Sequence, residues 1–241
     1  MTMASPSRRE RLRAATVTEL KDHARRLLTT GGVPAISLRA IARDMGMTAP
    51  AIYRYFPSLD ALVLHLAEDI YEELRVAVED ARHAAGADPV EQLIAMTHAF
   101  RAWSLAHPAE FGLIFGNPVP GIDAYAAAAS ACRPGGEAAA RFGAPFLETL
   151  AHLWAQRPFP TTPPPHLAEA FAPTLGPFRL RHGEPELPVE VIYEFLAAWT
   201  RLYGMVAMEV FGHLHWAVSD VTPLFEIEVR RVVKSLGGAP A

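Results

Sequence analysis

Cysteine is almost absent from this chain. Cys132 stands alone among 241 residues, so no internal disulfide and no multi-cysteine zinc site can form. A reduced thiol in a cytoplasmic protein is the expected state. Lysine is nearly as scarce: Lys21 and Lys234 are the two examples, and arginine carries almost all the positive charge. No uninterrupted apolar run of about twenty residues occurs, so no membrane partner is expected. The basic N-terminus, MTMASPSRRERLR, is followed by no apolar stretch and does not read as a secretory signal. Glycine-rich phosphate loops, a GxSxG elbow and metalloprotease motifs are missing as well. His213-x-His215 could supply two metal ligands, but no third stands at a suitable spacing. No catalytic residue, metal or cofactor is therefore expected, and the chain does not read as an enzyme.

What is present is concentrated in residues 37–56, SLRAIARDMGMTAPAIYRYF. The spacing predicts two short helices joined by a tight turn. Ser37 is placed to cap the first, whose Leu38, Ile41, Ala42 and Met45 recur at helical spacing. Gly46 suits the left-handed residue that ends a helix, and Thr48 can cap the next. Pro50 falls in a first turn, where its missing N–H costs little. Ile52 and Phe56 are expected inside, with Tyr53, Arg54 and Tyr55 spread over the other faces. A helix presented this way fits the DNA major groove.

The charge distribution agrees. Residues 1–57 carry ten Arg and Lys against four acids, a net of +6, whereas the whole chain is −4 and residues 58–241 therefore −10. A basic head on an acidic bulk is what local phosphate binding requires.

Helical patterns dominate the rest. Val17, Leu20, Ala24, Leu27 and Leu28 predict a helix over 17–31, preceded by a flexible basic arm over 1–14. A long helix is expected from Ser58 to near Gly86, with Leu59, Leu62, Leu66, Ile70, Leu74 and Ala77 on one stripe. Asp88-Pro89 opens a helix over 89–106, which His107-Pro108 breaks. Short helices are expected at 109–115 and 122–131, and a longer one at 137–156. Residues 157–188 are proline-rich and read as a connector. The last helices, 189–214 and 223–236, are apolar on more than one face, which calls for a second copy of the chain as partner. The division expected is a head over 15–75, with its helix-turn-helix motif at 37–56, and a body over 76–241. The fold class expected is all-α, the three-helix head joined by the long helix to a helical body.

The run Leu27, Gly32, Ser37 to Ala42, Gly46, Thr48, Ile52 to Phe56, Ser58 and Leu62 resembles the TetR-like family of bacterial one-component regulators. Trp199 and Gly204, followed by Gly212-His213, with His107-Pro108 and Phe111-x-x-x-Phe115, resemble a recurrent C-terminal type of that family, the WHG type, though Tyr203 stands where histidine is usual. The resemblance implies a homodimer with a DNA-reading head and a ligand-sensing, dimerising body. By it, Ser37, Tyr53 and Tyr55 match positions that hold DNA phosphates, and Thr48, Ala49 and Pro50 match the front of the recognition helix. Arg39 and Arg54 are the side chains most able to reach guanine or phosphate. Leu59 replaces a lysine usual in the family, which puts one phosphate contact in doubt; the Arg8–Arg13 segment could supply a substitute.

The partners implied are a double-stranded palindromic operator, a second subunit held through 189–214 and 223–236, and a small apolar or aromatic effector. The location implied is the bacterial cytoplasm, at the nucleoid when DNA-bound. Phe100, Trp103, Phe115, Trp154, Phe195, Trp199 and Tyr203 are the pocket candidates, with His98, Arg101, Asn117 and Arg201 as polar groups that could orient a ligand. A repressor is the favoured reading. A nonspecific DNA-binding protein, or a helical carrier or enzyme whose head no longer reads DNA, stays open.

Overall fold

A computed structural model of the chain describes residues 7–116, 134–161, 164–176, 178, 182 and 187–237. Ten α-helices and no strand occur among these residues: α1 Arg8–Gly31, α2 Leu38–Asp44, α3 Ala49–Ile52, α4 Leu59–Ala84, α5 Pro89–Ala106, α6 Pro108–Phe115, α7 Pro134–Gln156, α8 Pro165–Phe171, α9 Val189–Val210 and α10 Thr222–Ser235. No described helix is long and apolar enough to cross a membrane. The helix expected at 122–131, with Cys132 and Asn117, lies outside the described residues.

Contacts divide the chain into two compact units, Met1–Ile70 with Ala109–Gly135, and Tyr71–Pro108 with Gly136–Ala241. The division falls inside α4, and α6 groups with the first unit although it follows α5 in the chain.

In the first unit, α1 begins at Arg8 rather than near Val17. A capping box explains the early start. The Glu10 N–H donates to Ser7 Oγ at 3.3 Å, and the Ser7 N–H donates to Glu10 Oε2 at 2.6 Å, so two otherwise orphaned N–H groups are satisfied reciprocally. Residues 8–14, expected as a flexible arm, are therefore the first turns of a helix. Leu20, Ala24 and Leu28 form its buried stripe. Ile41, Ile52, Phe56, Leu62, Leu66 and Ile70 are also buried in this unit, as is Phe111 of α6. Arg25 Nε donates to the almost fully buried Glu110 Oε1 at 3.1 Å and ties α6 to α1.

In the second unit, α5, α9 and α10 pack on one another. One core cluster joins Val90 of α5, Leu150 and Leu153 of α7, Val191 of α9 and Val232 of α10, with Phe159 and Leu236. Asp88 caps α5 by accepting from the Val90 N–H at 2.8 Å, as expected. Three boundaries differ from the sequence reading. The helix expected over 189–214 ends at Val210, where Gly212 turns the chain at φ +70°. The Pro134-Gly135-Gly136 run is the first turn of α7 rather than a separator, because proline fits there without a lost hydrogen bond. The proline-rich stretch also carries order of its own: α8 and a 3₁₀ turn at Ala172–Leu175, whose prolines again sit in first turns.

Candidate nucleic-acid interface and effector pocket

The turn between α2 and α3 is a Schellman motif. The Met47 N–H reaches Ala42 O at 2.8 Å, and the Gly46 N–H reaches Arg43 O at 3.1 Å. The motif needs a left-handed residue between them, and Gly46 supplies it at φ +65°. At the other end of α2 the Ala40 N–H donates to Ser37 Oγ at 3.5 Å, a long cap bond.

The second helix is shorter than the pattern suggests. Regular α-helix covers Ala49–Ile52, and residues 53–55 continue as tight turns, with the Tyr55 N–H on Ile52 O at 2.9 Å. Thr48 holds the N-cap position with extended backbone, but its hydroxyl makes no cap bond; the expected Thr48 cap is therefore absent. Ile52 and Phe56 are buried, as their spacing requires, and Phe56 meets His65 edge-on at 5.6 Å. This anchoring turns Tyr53 and Arg54 outward. Arg39, Thr48 and Pro50 are also exposed, while Ser37 and Tyr55 are half-buried. Of the basic residues of this unit, Lys21 pairs with Asp69 and Arg25 with Glu110. Arg13, expected in a flexible segment, instead lies over the Tyr55 ring at 5.3 Å. The Ser7-x-x-Glu10 spacing was the sequence signal for its ordered position.

The second unit holds a cavity of about 60 Å³, lined by Leu93, Thr97 and Phe100 of α5, Phe146 and Leu150 of α7, Phe195, Ala198, Trp199 and Leu202 of α9, and Val232 and Leu236 at the end of α10. Its wall is aromatic: Phe100 and Trp199 lie 5.5 Å apart, and Phe142 lies 5.9 Å from each. Phe142 in turn meets Tyr71 of α4 at 6.2 Å.

Of the candidate pocket aromatics, Phe100, Phe195 and Trp199 line this cavity. Tyr203 stacks on Trp199 at 5.8 Å, and burial raises its pKa, which keeps its phenol neutral. Trp103 stacks on His107, Trp154 packs on Phe159, and Phe115 packs on Phe111 in the other unit. Phe146, one helical turn from Phe142 in the expected 137–156 helix, is the aromatic liner missing from the candidates, and Thr97 is the polar one.

Of the polar candidates, Arg101 is tied into the bundle, while His98 Nε2 is buried without a hydrogen-bond partner among the described residues. Arg101 donates bidentately to Glu209 at 2.6 and 2.7 Å and to Thr222 Oγ1 at 3.0 Å, and it lies over Phe225. The Glu209 bonds raise the Arg101 pKa further. His98 faces Glu226 at 3.4 Å, and Arg201 faces Glu228 at 3.7 Å. A larger open cleft of about 450 Å³ is lined by Arg82, His83, Ala87, Gln92, Glu148, Thr149 and His152. It is a surface feature whose arginine is already paired with Glu148 and Glu79. Among the described residues no three His, Cys, Asp or Glu side chains converge to hold a metal.

Comparison with known proteins decides what this arrangement is. The family of bacterial regulatory proteins named for tetR matches residues 20–66, and the tetracyclin repressor-like C-terminal domain matches residues 93–232. The chain belongs to the TetR family. Two HTH-type transcriptional regulators, Mb1846 of Mycobacterium bovis and Rv1816 of Mycobacterium tuberculosis, are each 32% identical over 216 residues, covering 88% of this chain and 88% of theirs. The crystal structure of the regulatory protein SCO4313 has a TM-score of 0.72 and 33% identity, covering 95% of this chain and 100% of that one. A protein of unknown function from Rhodococcus sp. RHA1 shares the fold, with a TM-score of 0.60 and 22% identity over 89% of this chain and 93% of its own. The protein is thus a DNA-binding transcriptional regulator of the TetR family and not an enzyme. Leu59, where a lysine is usual in the family, is the half-buried first residue of α4.

Proposed function

We propose that this TetR-family regulator is a repressor that a small apolar or aromatic effector releases from a palindromic operator. Residues 15–75 act as the reading head and 76–241 as the sensing and dimerising body. In the head, Ser37, Tyr53 and Tyr55 hold phosphates. Thr48, Ala49 and Pro50 approach the bases, and Arg39 and Arg54 reach guanine or phosphate. The observation that carries the reading is the outward pair Tyr53 and Arg54, set on a turn whose other side is sealed by Ile52 and Phe56.

Two copies associate through 189–214 and 223–236. Support comes from apolar side chains exposed on these helices: Tyr193, Met208 and Ile227, 37%, 42% and 48% exposed. Phe211, at the end of α9, adds to the same support. A paired head then meets two half-sites about one helical turn apart, near 34 Å. The effector occupies the Phe100–Trp199 cavity. An occupant there presses on the aromatic wall, and Phe142, which meets Phe100, Trp199 and Tyr71 of α4, passes that displacement on. A tilt of α4 separates the heads from their grooves and shifts the population to the released state. The site of action is the bacterial nucleoid.

The test is selection of DNA by the purified protein from sheared genomic fragments near physiological salt. Recovery of a few palindromic sites, released by an apolar aromatic compound, is the expected result. Uniform recovery would mark a nonspecific binder, and no recovery a helical carrier; either would overturn the proposal.

A further inference from the structure

We infer that Arg13 is a positioning residue for the reading head, and that its guanidinium acts within the protein rather than on a phosphate. The inference rests on the DNA-reading role proposed above. Arg13 stands in the second turn of α1, on a helix start made rigid by the Ser7–Glu10 capping box. Its Nη2 donates to the carbonyl of Arg54 at 3.4 Å, and its guanidinium lies 5.3 Å from the centre of the Tyr55 ring. One side chain thus holds both residues that follow the outward Tyr53.

The local structure shows where that hold acts. Regular helix in α3 ends at Ile52, and tight turns over 53–55 follow, closed by the Arg54 N–H on Ala51 O at 3.3 Å and the Tyr55 N–H on Ile52 O at 2.9 Å. Ile52 and Phe56 fix it from the inside through burial. From the outside it is held by Arg13, whose positive charge is favourable beside the free carbonyls that follow a helix and on an aromatic face. Arg13, Arg39 and Arg54 are all exposed, but among the described residues neither Arg39 nor Arg54 has such an aromatic seat.

A phosphate contact and a positioning contact predict different things. A phosphate contact weakens all DNA equally and lowers the salt slope by about 0.9 per charge. A positioning contact weakens the operator selectively and is coupled to Tyr55. The experiment measures binding of the full chain to a selected operator and to a random duplex at several salt concentrations, for wild type, Arg13→Ala, Arg13→Lys, Tyr55→Leu and the Arg13→Ala/Tyr55→Leu pair, with circular dichroism melts as the folding check. The result expected is about a 5- to 10-fold operator loss in Arg13→Ala. Random-DNA affinity and the salt slope should be unchanged, Lys should recover most of the loss, and Arg13→Ala should cost less once Tyr55 is Leu, the bond to the Arg54 carbonyl being all that is left to lose. Equal loss on both duplexes with a shallower slope would overturn the inference, as would additivity with Tyr55→Leu. Equal wild-type affinity for the two duplexes would sink the reading role and the inference together. A wild-type preference that Arg13→Ala leaves intact would sink the inference alone.

Discussion

The head and the body use opposite sides of their helices. In the head the informative side chains point out: Tyr53 and Arg54 are exposed while Ile52 and Phe56 beneath them are sealed. In the body the informative side chains point in: Phe100 is 2% exposed, and with Trp199 it surrounds a cavity of about 60 Å³. The difference teaches which property each surface can lose. An exposed reading residue contributes little to folding, so its removal should change binding alone. A buried sensing residue is also core, so its removal changes stability first.

The contrast breaks most visibly in the body. Phe100→Ala should cost about 3–5 kcal/mol and should enlarge the cavity, measured by denaturant unfolding and by uptake of a small aromatic probe. A loss under about 1 kcal/mol would mean that the aromatic wall is not core. In the head, the double substitution Tyr53→Ala/Arg54→Ala should lower operator affinity about 100-fold or more with an unchanged melting midpoint. A fallen midpoint would show that the outward side chains are structural after all. Arg101→Ala should destabilise the body by about 2 kcal/mol, because the Glu209 side chain, 11% exposed, is then left without its partner. The same substitution should leave effector response intact; a lost response would return Arg101 to the list of ligand-orienting groups.

Smaller effects sharpen the same contrast. Gly46→Ala meets no atom within 4 Å, so its cost is the left-handed backbone alone, about 1 kcal/mol; a thermal melt checks it. Acid should act weakly on both regions. The Ser7 hydroxyl, then its N–H, holds Glu10 below the ordinary carboxylate range; the Thr222 N–H, then its hydroxyl, does the same for Asp220. A depressed carboxyl adds stability above its unfolded pKa, near 4, and that stability is lost as pH falls through the folded value. Melting midpoints from pH 7 to pH 3 should fall slightly below about pH 4, and Glu10→Gln or Asp220→Asn should flatten the fall. A midpoint that rises on acidification would reverse the sign.

Much of the head was legible because its signals are local. A Schellman turn depends on one glycine, and a cap depends on one serine with the N–H three residues on; both can be read from adjacent residues. The same locality explains the misreadings. Residues 1–14 read as a flexible arm by their charge, although Ser7 and Glu10 within them carry the spacing of a helix cap. Thr48 looked like a cap because its type is right, although its hydroxyl takes no bond. In the body, hydrophobic spacing identified the helices, yet seven aromatic candidates could not be sorted from sequence. Trp154 and Phe195 have the same apolar character, but one packs on Phe159 and the other borders the cavity.

The sequence by itself determined the helical class, the motif at 37–56, the charge contrast and the membership of the TetR family, because each rests on residue type at fixed short spacing. Tertiary structure alone decided that α6 groups with the first unit through Glu110 and Arg25, that Arg101 is held by Glu209, and which aromatics enclose space. Those outcomes depend on residues 85 and 108 positions apart meeting in space, and no local spacing encodes such a meeting.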